Sequence, residues 1–86
     1  MFTIMAYDVA ADRVHKLHKL AAKYLHPVQN SLFQGYLSDR QLRLLKQEIA
    51  RVVDTETDRV IFYKAFDDST LQTDTLGICA EQEMIL

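Results

Sequence analysis

Two runs of this chain, Phe2–Val9 and Val60–Tyr63, are apolar on both of the faces that a β-strand presents. A strand with one wet face alternates apolar with polar residues, and these runs do not. In the first run the alternate sets are Phe2, Ile4, Ala6 and Thr3, Met5, Tyr7, Val9, so both sides need cover. The chain has only 86 residues with which to provide it. That length suits a single domain over 1–86, with a core over 1–66 and a C-terminal extension over 67–86, and domains of this size bury roughly 60–65% of their unfolded surface.

The segments between the two runs alternate in period. From about Asp12 to Leu25, Val14, Leu17, Ala21 and Tyr24 recur on one helical face, with Lys16, Lys19 and Lys23 opposite. His26-Pro27 is expected to end this helix, because the residue before proline is pushed out of helical geometry. Val28 to Leu37 reads as extended, with Asn30-Ser31 as a turn or bulge between two pieces. Ser38-Asp39-Arg40-Gln41 is a capping box that opens a second helix with Leu42, Leu45, Ile49 and Val52 inward. Asp54 to Asp58 reads as a polar loop, and two short apolar pieces, Leu76 to Cys79 and Met84 to Leu86, follow the last main strand.

This order predicts an α+β, ferredoxin-like βαββαβ domain with extra short C-terminal strands, both helices lying on one face of the sheet. The other face would be left apolar and bare. A second copy of the chain is the simplest cover, which predicts a homodimer.

Composition narrows the class. With 49% hydrophobic and 26% charged residues the chain has the make-up of a folded protein. Its single cysteine, Cys79, suits a small buried hydrophobe in a reducing compartment, and the first residues resemble neither a signal nor a membrane segment. The expected location is the cytoplasm. The net charge of −2 conceals a division: residues 1–53 hold eight Lys/Arg against four Asp/Glu, and residues 54–86 hold two against eight. An excess of +4 followed by one of −6 points to a polyanion on one surface and to a different partner, or none, at the tail.

The residues that could carry chemistry are few. Asp8 stands where the first strand gives way to a loop, a position that suits either a turn cap or a functional carboxylate. A two-fold axis near it would bring two carboxylates together, and magnesium needs only one or two besides water and phosphate. His15, His18 and His26 offer no third ligand at zinc spacing. Ser31, Ser38 and Ser69 lack nucleophile-elbow glycines, and Gly35 and Gly77 make no phosphate loop. Arg13, Lys16, Lys19 and Lys23, with Arg40, Arg43, Lys46 and Arg51 on the second helix, form basic stripes suited to phosphate contacts that position a duplex without reading it.

Three segments together resemble a known family. The starting strand ends on Tyr7-Asp8-Val9; Val28-Gln29-Asn30-Ser31-Leu32-Phe33-Gln34-Gly35-Tyr36-Leu37 follows a Val-Gln-x-Ser-aliphatic-Phe-x-Gly-x-Leu pattern; and the capped helix from Ser38 leads to Asp58-Arg59-Val60-Ile61-Phe62-Tyr63. They are similar to the small CRISPR-associated adaptation nucleases of the Cas-two family, partners of the CRISPR integrase. The resemblance implies a homodimer that bridges integrase dimers, holds duplex DNA and serves spacer acquisition, with magnesium-dependent cleavage of single-stranded RNA or duplex DNA. It also implies Asp8 as the Mg2+ ligand from each subunit, with Tyr7 in support, and a C-terminal extension that meets the integrase. The segment after Asp8 is about one residue short, so Arg13 and Lys16 map onto the family's basic positions only approximately, and Pro27 stands where many members have arginine. A toxin-like ribonuclease of the virulence-associated type and a ligand-binding regulatory domain are the competing functions for the same fold.

Overall fold

The computed structural model describes residues 1–65 and 71–77. The elements run β1 (Phe2–Asp8), α1 (Ala11–Ala21), β2 (His26–Gln29), β3 (Leu32–Tyr36), α2 (Asp39–Ala50), β4 (Arg59–Ala65) and β5 (Leu71–Gly77). All strand pairings are antiparallel, in the order β2-β3-β1-β4-β5. The expected α+β, ferredoxin-like arrangement is therefore present, widened by one strand at the β4 edge. No helix among the described residues is long and apolar enough to cross a membrane.

β1 is the central strand, and its register sorts the side chains. Met5 lies opposite Phe33 on one neighbour and Phe62 on the other, and all three are fully buried. With Tyr7 and Val60 they form the floor on which Leu17, Leu20, Ala21 and Leu25 from α1 and its following turn, and Leu42, Leu45 and Ile49 from α2, are packed. The opposite phase carries Phe2, Ile4 and Ala6, with Leu32 and Tyr36 on β3 and Ile61, Tyr63 and Ala65 on β4 in register beside them. No helix among the described residues covers this side. Ile61 is buried, but most of the others are half-buried and Tyr36 is 79% exposed, with its ring edge-on to Phe2 at 5.2 Å.

The helices differ in how they begin. α2 carries the expected capping box: the Ser38 Oγ accepts from the Gln41 amide at 3.1 Å, and the Gln41 side chain accepts from the Ser38 amide at 2.9 Å. α1 opens at Ala10, which has no side chain to cap with. It also ends at Ala21, four residues before the expected Leu25. There the amides of Lys23 and Tyr24 donate to carbonyls three residues back, tightening the last turn and leaving the helical path before the proline is reached. Leu25 still turns into the core. Val14, expected inward, is 39% exposed, and Leu20 completes the buried stripe in its place.

His26-Pro27 does not terminate the helix but opens β2. Proline fits there because β2 is an edge strand, and a bulge interrupts the pairing between Pro27 and Gln29. The residues expected as a turn or bulge, Asn30-Ser31, connect β2 to β3 as a turn. The last described strand starts at Leu71, five residues earlier than the apolar piece from Leu76 suggested. Cys79 and the piece from Met84 to Leu86 lie outside the described residues.

One core position is imperfect. The Thr3 hydroxyl is buried without a hydrogen-bond partner among the described residues. A buried unsatisfied hydroxyl costs about 1–3 kcal/mol, so Thr3→Val should raise the unfolding free energy by about 1 kcal/mol in urea titration without changing the m-value.

Candidate functional site

Asp8 is the last residue of β1 and shares its phase with Phe2, Ile4 and Ala6, so its carboxylate stands at the end of the uncovered sheet face. The side chain is 80% exposed. Across the β1–β4 pair its register partner is Arg59, whose Nη2 lies 3.7 Å from Oδ2 of Asp8. A surface depression of about 480 Å³ beside it is lined by Tyr7, Asp8, Val9, Val14, Asn30 and Ser31. The β2–β3 turn is tied to this end of β1, because the Tyr7 amide donates to the Ser31 carbonyl at 3.1 Å.

Tyr7 is one residue away and points the other way. Its ring stacks on Phe33 at 6.1 Å, its hydroxyl donates to the Asn30 carbonyl at 3.2 Å, and burial pushes its pKa up. Successive strand residues face opposite sides. Tyr7 therefore supports Asp8 through the strand and the turn, with its hydroxyl already engaged on the helix side of the sheet.

Arg13, expected among free phosphate contacts, is taken up by the fold. Its Nε and Nη2 donate to the two oxygens of Asp58 at 2.5 and 3.0 Å, and Nη2 also reaches the Thr57 hydroxyl at 3.3 Å. Asp58, read from the sequence as part of a polar loop, is completely buried. It also accepts from the backbone amides of Ala10, at 3.0 Å, and Asp54, at 2.9 Å. These bonds, Arg13 first, hold the Asp58 carboxyl well below the usual carboxylate range against the opposing effect of burial. The uncapped start of α1 is thus fastened from across the molecule, two residues after Asp8.

Lys16, Lys19 and Lys23 do share a surface. They line one wall of a groove of about 340 Å³ between the helices, with Arg51, Val52 and Glu48 of the α2 side opposite. Glu48 is already engaged: the Tyr24 hydroxyl donates to it at 2.5 Å and holds it below its ordinary pKa, and the Lys23 ammonium lies 3.5 Å away. The groove is on the helix side of the sheet, away from the face that carries Asp8. Among the described residues no three His, Cys, Asp or Glu side chains gather into a metal-holding group. His18 instead packs edge-on against Phe33 at 5.1 Å.

Two residues that matter here were quoted in the sequence without a role of their own, Asp58 and Arg59. The available signal was their position, two charges directly before a doubly apolar strand, where one side chain must turn inward and the other out.

The described residues form an α+β, ferredoxin-like domain with an exposed carboxylate closing β1 and a basic groove on its helix side. The comparisons narrow the class to a family. The family model for CRISPR associated protein Cas2 matches residues 1–73. The CRISPR-associated endoribonuclease Cas2 of Thermotoga maritima is 42% identical over 78 residues, 91% of this chain and 90% of its own. A second, from Thermodesulfovibrio yellowstonii, is 38% identical over 77 residues, 90% and 88% of the two chains. Among solved structures, a Cas2 crystal structure at 42% identity superposes with a TM-score of 0.70 over 81% of this chain and 84% of that one. The Streptococcus pyogenes Cas2 structure does so at 0.70 with 27% identity, over 76% and 86%. This chain belongs to the Cas2 family.

The buried Asp58 generates a prediction about pH. Its pKa is lower in the folded chain than its ordinary value of 3.8, so its stabilisation is complete above that value and is lost as pH falls below it. Asp58→Ala leaves Arg13 and two amides unpaired and should cost about 3–5 kcal/mol in urea. The parent should lose stability on acidification below about pH 4, and Asp58→Asn should lose less over the same range.

Proposed function

We propose that this chain is a CRISPR-associated endonuclease that works in the cytoplasm as a homodimer, with Asp8 of each subunit holding a magnesium ion at the scissile phosphodiester. The observation that carries this reading is the phase of β1. It sets Asp8 on the same face as the half-buried apolar patch of Phe2, Ile4, Tyr63 and Ala65, so a second copy covering that patch across a two-fold axis brings its own Asp8 towards the first. At this end of the sheet each chain offers the exposed Asp8 carboxylate, 3.7 Å from the Arg59 guanidinium. That donor set fits magnesium, which takes one or two carboxylates and completes its shell with water and phosphate oxygens. When bound, the ion supplies Lewis-acid polarisation of the phosphoryl group and a more acidic water. The chain's own residues orient the site: Tyr7 and the Ser31 carbonyl fix the end of β1, and Asp58 fixes the loop after it.

The relatives are named endoribonucleases, which favours RNA as the substrate. The helix groove supports a second part of the reading, an adaptation role. Lys16, Lys19, Lys23 and Arg51 would hold duplex DNA by its phosphates, and the acidic C-terminal extension would dock on the integrase. Because the groove and Asp8 lie on different sides of the sheet, holding DNA and cutting RNA need not compete.

Two measurements test these parts separately. Asp8→Asn should sediment as a dimer like the parent and lose at least a hundredfold in magnesium-dependent cleavage of an RNA oligonucleotide; a monomeric parent, or cleavage at the parental rate, would remove the reading. Charge reversal at Lys16, Lys19 and Lys23 should weaken duplex DNA binding whatever its sequence and flatten the log–log salt dependence by roughly 0.9 per lost phosphate contact, leaving RNA cleavage unchanged.

A further inference from the structure

We infer that Arg59 is the phosphate-holding residue of the Asp8 site, pairing with Asp8 in the unliganded chain and turning its guanidinium to the phosphodiester once a cation takes the carboxylate. The inference rests on the reading of Asp8 as the cation-holding residue.

Register comes first. Arg59 opposes Asp8 across the β1–β4 pair, on the same face of the sheet, so the two side chains meet at one end of the uncovered surface. At 3.7 Å their contact is one of charge, too long for a hydrogen bond, between side chains that are 32% and 80% exposed. Exposed pairs of this kind contribute about 0–1 kcal/mol, so the Asp8–Arg59 contact itself opposes an incoming cation only weakly.

The root of Arg59 is firm. Asp58 before it is locked by its hydrogen bonds and Val60 after it is fully buried, so the backbone stays in place while the guanidinium moves. Beside a cation held by the carboxylate, a guanidinium adds planar donors that match phosphate oxygens. Arg13, which follows Asp8 more closely in sequence, is committed to Asp58. The lysines of α1 face the helix groove. Arg59 is the guanidinium in register with Asp8.

The test uses the full-length protein and three variants, Arg59→Ala, Arg59→Lys and Asp8→Asn. Mn2+ binding is followed by electron paramagnetic resonance without nucleic acid. Binding of a single-stranded RNA oligonucleotide is followed in Ca2+ by fluorescence anisotropy, and cleavage in Mg2+ under single turnover. Removing a competing positive charge should tighten Mn2+ binding by Arg59→Ala at least threefold, while RNA affinity and cleavage each fall at least tenfold. Arg59→Lys keeps the charge and loses the fork, so Mn2+ affinity should return to the parental value with RNA affinity only partly restored. Parental RNA affinity in both Arg59 variants, in a protein whose Asp8→Asn form has lost Mn2+ binding, overturns the inference and leaves the role of Asp8 standing. Parental Mn2+ affinity in Asp8→Asn instead removes the reading of Asp8 on which the inference rests.

Discussion

The fold depends on one buried charge. Placing the Asp58 carboxylate out of water is costly, and the cost is offset only because Arg13, the amides of Ala10 and Asp54, and the Thr57 hydroxyl converge on its two oxygens. These partners come from three places in the chain: the loop after β1, the first turn of α1 and the loop before β4. The carboxylate thereby does the work of a missing cap. α1 begins at an alanine, so its entry has no local side chain to satisfy it, and the loop is held by a residue 48 positions further on. Without that tie the two segments that carry Asp8 and Arg59 would have no common anchor beyond the β1–β4 ladder.

The same ladder explains how one short strand serves structure and site together. β1 is central, and its odd residues Thr3, Met5 and Tyr7 are the floor of the helix-side core. Its even residues end in Asp8. A shift of one residue in register would exchange the two sets, burying the carboxylate and exposing Tyr7, so the packing of Met5 between Phe33 and Phe62 also fixes which face Asp8 occupies. The site thus inherits its precision from the core. Tyr7 adds to it by tying the β2–β3 turn to the strand end.

Periodicity carried much of this in advance. The doubly apolar β1 and β4 and the box from Ser38 to Gln41 depend on residues close in sequence and stand in the structure as read, and at Asn30-Ser31, where turn and bulge were both open, the structure has a turn. The end of α1 was less legible, since proline marks a point the helix cannot pass rather than the place where it stops. Arg13 and Asp58 were not legible at all in their pairing. They are 45 residues apart, each reads locally as a solvated charge, and only the meeting of two loops shows that one neutralises the other. For the same reason Arg13 looked like part of a basic stripe that it does not join. Lys16, Lys19 and Lys23 did keep their surface, because helical spacing alone sets it.

Removing Arg13 from the stripe changes the electrostatics of the two faces. On the helix side three lysines and Arg51 surround a glutamate already bound by Tyr24, so the groove keeps a net positive charge. On the sheet side the charges come as the balanced pair of Asp8 and Arg59 beside an apolar patch. A balanced pair exerts little long-range attraction and gathers a polyanion weakly at physiological salt, where the screening length is about 8 Å. On the proposed reading, long-range attraction of duplex DNA falls to the helix groove. On the same reading, capture of a phosphodiester at Asp8 follows separation of the pair, which couples phosphate binding to the arrival of a cation.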